Sequence, residues 1–246
     1  MAPAENHLIE LLPAADRRRL MAVCEPVQLV RGELLCDRGE PVRHAYFPVD
    51  GFICQVMQID GHPSLEVGMV GREGMVGAAL ILGVGTVPLR ALVQGPGAAW
   101  RIEDQDFKRE LALSTALRRV LQRFVYVRLA QLAASAACLR FHLIEPRLAR
   151  WLLMSHDRAH AEHFHVTHEF LACMLGVRRV GITAAAGALQ RRGLISYHRG
   201  EIRIVDRKGL ERAACSCYAS DTATYREYLS GAESSATTRQ DKVAIG

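Results

Sequence analysis

The sequence predicts an α+β fold in which an N-terminal β-roll or jelly roll leads into one long helix and then into a C-terminal helical domain. Three observations support this prediction. Short apolar segments alternate with turn signals over residues 26–93, which is typical of all-β structure. Residues 111–142 contain neither Gly nor Pro, as one uninterrupted helix requires. Residues 167–192 hold two short apolar stripes with helical spacing on either side of a glycine.

The N-terminal part, residues 1–110, is predicted to begin with a helix from Leu8 to about Cys24 and to continue as short strands. The strands recur about every 8 to 12 residues, as they do in rolls and jelly rolls. They are predicted at Val27 to Val30, His44 to Phe47, Phe52 to Ile59, Leu65 to Val70 and Leu89 to Val93.

The long helix, residues 111–142, carries two apolar stripes. The first follows heptad spacing and consists of Leu117, Val120, Phe124 and Val127. The second runs alongside it and consists of Leu121, Val125, Leu129, Leu132, Ala136 and Leu139. A helix this apolar must bury one side on its own domain and the other on a partner, so we predict that it pairs with a second copy of the chain, in a seam that includes Phe124 and Leu132. The alternative is a helix that is buried inside a monomer.

The C-terminal domain, residues 143–218, is predicted to start with a helix from Glu145 to about His156 and to contain a helix-turn-helix. Thr167 can cap a short helix, and Gly176 permits the left-handed backbone that ends it. The second helix has an inward face made of Ile182, Ala185, Ala186 and Leu189. Two short helices joined in this way can place the second one in the major groove of DNA. A helical hairpin without any DNA-binding role would show the same bare pattern.

Basic residues and a hairpin favour the DNA-binding alternative. Two arginines open the second helix, where backbone N–H groups and the helix dipole attract phosphate. Two short apolar segments around His198 and Arg199 then predict a β-hairpin, which at this position is a wing. The predicted DNA-contacting residues are Thr167, Arg178, Arg179, Thr183, Gln190, Arg191, His198 and Arg199.

Charge differs between the two halves of the chain. Residues 166–208 hold eight Lys or Arg against three acids, whereas residues 1–113 hold eleven basic and fifteen acidic side chains. The first segment suits a phosphate backbone and the second would repel one. The sequence therefore predicts different partners for the two parts.

The run from Thr167 to Asp206 resembles the winged helix-turn-helix of the Crp/Fnr transcription regulators, through L-G-V-R-R and L-Q-R-R-G-L-I-S-Y, and a weaker resemblance extends to Tyr218. It implies a cytoplasmic, homodimeric, sequence-specific regulator that is not an enzyme, with a palindromic double-stranded DNA operator and RNA polymerase as partners. It also implies an effector-binding β-roll. The position of Arg179 carries a base-contacting arginine in the family, while Val180 and Ala184 depart from the family pattern.

The effector of the β-roll is not identified by the sequence. Relatives that bind cyclic AMP use a Gly-Glu pair for the ribose and an Arg-Ser or Arg-Thr pair for the cyclic phosphate. Here Glu73 and Gly74 stand in reversed order, Met75 follows them, and Arg90 is the one candidate for the phosphate, displaced by one residue. We predict that cyclic nucleotide does not bind, and that the pocket is either vestigial or takes another ligand, lined by residues such as Met75 and Leu80.

Cysteine and histidine chemistry provides the second class of function, a metal-binding sensor or an enzyme. The seven cysteines are scattered, and Cys215 and Cys217 are too close for the usual C-x-x-C metal site. Five histidines fall within residues 156–168, which is compatible with a metal site or with a solvated loop. No nucleophile motif, phosphate loop or paired-carboxylate signature accompanies them, so no catalytic residue, metal or cofactor is predicted.

The ends of the chain carry little signal. The N-terminus lacks the order of a signal peptide, and no run of about 18 uncharged apolar residues predicts a membrane span. Residues 219–246 are small and polar, and we predict a disordered tail there.

Overall fold

The structure is a computed structural model that describes residues 6–62, 64–159 and 163–229. The α+β architecture is confirmed: an N-terminal β-roll, one long helix and a C-terminal winged helical domain follow one another along the chain. The roll consists of a four-stranded sheet in the order β2-β6-β4-β5 and a three-stranded sheet in the order β1-β7-β3, both antiparallel. Its strands are β1 (Glu25–Leu29), β2 (Leu34–Cys36), β3 (His44–Pro48), β4 (Phe52–Met57), β5 (Leu65–Val70), β6 (Arg90–Gly95) and β7 (Gly97–Glu103).

The five predicted strands correspond to β1, β3, β4, β5 and β6, whereas β2 and β7 were not predicted. The predicted N-terminal helix is wrong in one respect, because it is broken into α1 (His7–Glu10) and α2 (Ala14–Met21). Pro13 lies at the break, where it cannot donate a helical hydrogen bond. Asn6 caps α1, and its buried side-chain amide donates to the carbonyl oxygens of Pro48 at 2.8 Å and Gly74 at 3.0 Å.

The long helix α4 (Thr115–Phe141) follows α3 (Asp104–Leu113) and is capped by the Ser114 hydroxyl, which accepts from the Leu117 N–H at 3.0 Å. Along its first half, one stripe packs into the core of the roll; its buried members are Leu117, Leu121, Phe124 and Val127. The prediction that Phe124 belongs to a seam between two chains is therefore wrong. Its ring is 2% exposed in the single chain.

The other stripe of α4 is open to solvent in the single chain. Leu129 is 60% exposed, and Leu132, Ala136 and Leu139 are exposed on the same side. By length and composition alone α4 would also pass for a membrane-spanning helix. It packs on the β-roll along one side.

The prediction of a disordered tail over residues 219–246 is wrong for the first part of that segment. Residues Cys217–Leu229 form a helix, α9, that packs against α4. Arg150 pairs with Asp221 of α9 at 2.6 Å, and the hydroxyl of Tyr225 donates to the Glu73 carbonyl at 2.9 Å. The remaining tail residues, 230–246, lie outside the described residues.

The C-terminal domain begins with α5, and its three-stranded wing sheet has the order β8-β10-β9. Its elements are α5 (Ile144–Ala159), β8 (His163–His165), α6 (His168–Leu175), α7 (Arg179–Arg191), β9 (Ile195–His198), β10 (Glu201–Ile204) and α8 (Arg207–Ala213). The strand β8 was not predicted. The helices α5, α6 and α7 and the sheet enclose one apolar core.

This core continues onto the outer face of the four-stranded sheet of the roll. The rings of Phe52 and Trp151 meet edge to face with centroids 6.4 Å apart, and the Trp151 indole donates to Glu66 at 3.1 Å. Arg158 of α5 pairs with Glu73 of the roll at 2.7 Å. The two domains of one chain are thus joined by an apolar contact with ionic groups at its edge.

Candidate DNA-binding interface and effector cavity

The helix-turn-helix is formed by α6 and α7, which meet at an angle of 107°. The hydroxyl of Thr167 accepts from the Phe170 N–H at 3.1 Å and so caps α6. Gly176 ends α6 with φ 61°, the left-handed conformation that its lack of a Cβ permits. Helices at about 90 to 120° joined by a three- or four-residue turn have the geometry of DNA-binding helix-turn-helix motifs.

The helix α7 divides into a buried face and an exposed face. Ile182, Ala185, Ala186 and Leu189 are buried, as the apolar spacing predicts. Arg178, Arg179 and Thr183 are exposed at its start, together with Val180, which is 71% exposed. No side chain caps the first turn, and the N–H of Gly181 donates to the Arg178 carbonyl at 2.9 Å. The N–H groups before Gly181 are the ones that an anion would contact.

His168 connects α6, α7 and the wing, a role that the sequence did not reveal. Its Nδ1 lies 3.0 Å from the Thr183 hydroxyl, which itself donates to the Arg179 carbonyl at 3.2 Å. The imidazole stacks on the Tyr197 ring with centroids 4.5 Å apart and an interplanar angle of 12°. Burial, aided by the charge of Arg179, lowers the pKa of His168 below its usual value of 6.5. The imidazole is therefore neutral at pH 7 in the DNA-free protein.

The wing turns at Arg199 and Gly200, which have φ 50° and 87°. Two consecutive positive φ values define the tight hairpin turn that matches the twist of antiparallel strands. Arg199 is exposed at this tip, next to His198. Gln190 of α7 uses its side-chain carbonyl to accept the Tyr197 N–H at 2.8 Å, which fixes the wing to α7.

Some basic residues of this domain are neutralised within the chain and others are not. Arg192 pairs with Glu145 at 2.6 Å, and Arg207 pairs with Asp157 at 2.6 Å. Arg179 has only a loose approach to Glu169, at 4.0 Å between two exposed side chains. Within the described part of the chain, no acidic side chain pairs with the exposed Arg178, Arg191 and Arg199. Their charges lie at the start and end of α7 and at the wing tip.

The predicted histidine cluster is not assembled as a metal site by the described residues. His156 contacts the Arg207 guanidinium at 3.0 Å, and His165 contacts Glu201 at 2.8 Å. His163 begins the strand β8, and His168 is held by Thr183 and Tyr197. His160 lies outside the described residues.

A cavity of about 310 Å³ lies inside the roll and is completed by the long helix. Most of its lining is apolar, and it includes Val42, Val76, Ala79, Val87 and Leu89 from the roll and Val125, Leu129 and Leu132 from α4. It occupies the space between the sheets and the helix, where an effector would touch both.

Three arginines border this cavity, of which Arg43 is exposed. The other two have partners within the chain. Arg90 pairs with Asp37, with Nε 3.0 Å from Oδ1. Arg128 of α4 donates to the Gln55 side chain and, at 3.2 Å, to the Met69 carbonyl. Desolvation lowers the pKa of Arg128 to about 10. Of these two guanidinium groups, that of Arg90 is held by a carboxylate, and that of Arg128 by neutral amide and carbonyl oxygens.

The other residues predicted to bind the effector do not line this cavity. Glu73 is engaged with Arg158 at the domain contact. The backbone of Gly74 packs on the Phe124 ring, where a Cβ would approach the ring to 2.8 Å. Met75 and Leu80 are almost completely buried in the apolar core. Of the residues predicted to bind the effector, only Arg90 borders this cavity.

Residues 146–213 match a sequence family described as the Crp-like helix-turn-helix domain. No curated protein matches the chain. The resemblance of the C-terminal part to the Crp/Fnr regulators is confirmed by this match, and the domain is of the Crp-like class.

The fold of the whole chain is similar to several solved structures of this class. A regulator assigned to the Crp/Fnr family from Eubacterium rectale has a TM-score of 0.66 at 18% identity, over 85% of this chain and 99% of that one. FixK2 from Bradyrhizobium japonicum has a TM-score of 0.66 at 15% identity, over 78% and 98%. A CRP-family regulator from Thermus thermophilus has a TM-score of 0.64 at 21% identity, over 76% and 96%. The chain therefore has the fold of Crp/Fnr transcription regulators with a Crp-like DNA-binding domain.

Proposed function

We propose that this protein is a homodimeric, sequence-specific transcription regulator that binds a palindromic DNA site and senses a small molecule in its β-roll. The observation that carries the proposal is the start of α7, where exposed Arg178 and Arg179 flank an uncapped helix N-terminus beside a basic wing tip. Positive charge and free N–H groups on an exposed helix provide both phosphate contacts and base contacts.

The dimer is supported by the open stripe of α4, which consists of half-buried Val125 and exposed Leu129, Leu132, Ala136 and Leu139. These positions have the alternating spacing of four and three residues that is typical of a coiled-coil seam. Two chains paired along this stripe would address half-sites about 34 Å apart. A regulator of this kind works in the cytoplasm, and RNA polymerase is its expected protein partner.

Salt-dependent DNA retardation with the purified protein tests the proposal. Operator fragments are selected from a random duplex library, and affinity is measured at several salt concentrations. The logarithm of the binding constant should fall linearly with the logarithm of the salt concentration, because each phosphate contact releases counterions. Selection that yields no shared sequence, together with the absence of any retardation at low salt, would refute the proposal.

The residues that line the cavity also indicate the chemical class of the ligand that the roll would sense. Its mostly apolar lining and the ion pair between Arg90 and Asp37 favour a largely apolar molecule over a cyclic nucleotide. A buried phosphate would need a guanidinium that is free to pair with it. No feature of the described residues favours an enzyme, so we propose no catalytic activity.

A further inference from the structure

Three cysteines and one histidine meet where the long helix ends and the DNA-binding domain begins. Cys138 lies in the last turn of α4, and His142 is the residue that caps this helix. Cys215 and Cys217 lie in the segment that begins α9. The group, called here the Cys₃His cluster, consists of Cys138, His142, Cys215 and Cys217. The three cysteines are 2%, 6% and 9% exposed, and the four potential ligand atoms all lie within 4.8 Å of one another.

The backbone brings these side chains together for two reasons. The N–H of His142 still donates to the Cys138 carbonyl at 3.1 Å, so the two residues are one helical turn apart and share a face of α4. The N–H of Cys215 donates to the Pro146 carbonyl at 3.3 Å, which holds the C-S-C segment against the start of α5. A C-x₃-H pair and a C-x-C pair that are distant in sequence are thereby placed face to face.

Two distances within the cluster match those between ligands of one metal ion, and no other exceeds 4.8 Å. The sulfurs of Cys138 and Cys215 are 3.6 Å apart, and the Cys217 sulfur is 3.6 Å from His142 Nδ1. Zinc–sulfur bonds of about 2.3 Å and zinc–nitrogen bonds of about 2.0 Å give a tetrahedron with edges of about 3.5 to 3.8 Å. A disulfide would instead need sulfurs about 2.0 Å apart. The ligands of an iron–sulfur cluster bind different irons and so lie farther apart than this group.

A buried cation nearby provides a second, independent observation. Arg147 is 7% exposed, and its guanidinium donates to the Leu175 carbonyl. Among the residues that the structure describes, no carboxylate pairs with it, and it interacts electrostatically with Cys138 and Cys215 and with the like charge of Arg150. A buried charge without a counter-charge is costly. A centre of one Zn²⁺, three thiolates and a neutral imidazole carries one negative charge and would supply the missing partner.

We propose that the Cys₃His cluster binds one Zn²⁺ ion. Three thiols and an imidazole at tetrahedral spacing are a ligand set that zinc prefers for closed, structural sites. On binding, each thiol gives up its proton to solvent and each sulfur donates an electron pair to the metal. The ion ties the start of α9 to the end of α4, two residues before α5 begins. It therefore fixes the direction in which the DNA-binding domain leaves the long helix, and this role does not depend on the proposed DNA function.

The test uses the full chain, purified under reducing conditions without chelator. Elemental analysis should find about one zinc per chain. The Cys138→Ser and Cys215→Ser variants should lose that zinc, whereas the matched control Cys173→Ser, on α6 and outside the cluster, should keep it. Co²⁺ added to the metal-free protein should give the strong visible bands of a tetrahedral site and a thiolate-to-cobalt charge-transfer band.

A second measurement avoids the risk that a variant fails to fold. The wild-type chain is alkylated with and without zinc, and the modified cysteines are located by mass spectrometry. Zinc should protect the three cysteines of the cluster and leave Cys173 equally reactive in both states. Metal-free protein with no tetrahedral cobalt spectrum would overturn the proposal, and so would iron in place of zinc or a Cys138–Cys215 disulfide in the reduced preparation.

Discussion

One imidazole, that of His168, determines how the first turn of the recognition helix is held. It contacts the Thr183 hydroxyl, stacks on the Tyr197 ring and lies near the charge of Arg179. Its Nε2 is buried with no hydrogen-bond partner among the described residues. A proton on this nitrogen would therefore be both desolvated and repelled.

We predict a pH dependence of folding that depends on His168. Its folded-state pKa is lowered below 6.5, so the unfolded chain binds this proton more tightly. The stability that the neutral imidazole contributes is present above about pH 6.5 and is lost as the pH falls through the lower, folded pKa. Denaturant unfolding of the wild type and of His168→Gln between about pH 5 and 8 should show a steeper loss of stability on acidification for the wild type. Parallel curves would contradict this prediction.

Arg179 is expected to provide the main base contact. It is exposed at the first position of α7, where a guanidinium can make two hydrogen bonds to guanine, while Val180 and Ala184 offer only apolar contact. Arg179→Ala should weaken specific binding by about 1 to 3 kcal/mol and relax the preference at one base pair of each half-site. Arg18→Ala, on the exposed face of α2, is the control. A footprint and affinity unchanged by Arg179→Ala would show that the helix reads DNA through other residues.

Arg199 is expected to contact phosphate from the wing tip. Asn tolerates the positive φ of this turn, so Arg199→Asn should remove the charge without disturbing the hairpin. Affinity should fall about equally for all sequences, and the salt slope should decrease by about 1 per half-site. A loss that appears only for one operator sequence would instead indicate base readout by the wing.

The long helix α4 can be tested as the dimer seam. Leu129 and Leu132 lie on its exposed stripe, where glutamates would repel each other across a seam without disturbing the core. The double variant Leu129→Glu, Leu132→Glu should therefore be a folded monomer by light scattering and should bind DNA much more weakly. Ile59→Glu, at another exposed apolar residue on the roll, should remain dimeric. Phe124→Glu should instead destabilise the roll, because that ring is buried within one chain. A double variant that stays dimeric would place the seam elsewhere.

The sequence predicts the elements with strong local signals. Thr167 and Gly176 delimit α6, and the inward face of α7 follows directly from its apolar spacing. Which stripe of α4 faces the roll depends on tertiary packing, and the choice of Phe124 for the seam failed for that reason. The helix α9 was missed because its small and polar residues show little amphipathic pattern, and its packing on α4 cannot be read from the sequence. The Cys₃His cluster joins residues 77 positions apart, which no local spacing rule detects.

The cavity and the proposed seam between two chains meet on one helix, α4. Val125, Leu129 and Leu132 line the cavity and also belong to the open stripe of α4. A ligand in the cavity would therefore touch the surface on which two chains are proposed to pair. A ligand that makes different contacts in two arrangements of α4 favours one of them and thereby moves the DNA-binding domains. Such a difference in contacts is what allosteric control requires.

Cyclic nucleotides are not expected to be that ligand. Cyclic AMP and cyclic GMP carry a phosphate charge that needs an available cation, and Arg90 is already held by Asp37. Calorimetry with the wild-type dimer should detect no micromolar binding of either nucleotide, and Arg90→Ala should change nothing. Micromolar binding that is lost in Arg90→Ala would mean that the ion pair opens for the phosphate and that the cavity is a cyclic-nucleotide site. Native mass spectrometry of the freshly purified dimer provides the positive test, because an apolar ligand that fills a cavity of about 310 Å³ would appear as an added mass on each chain.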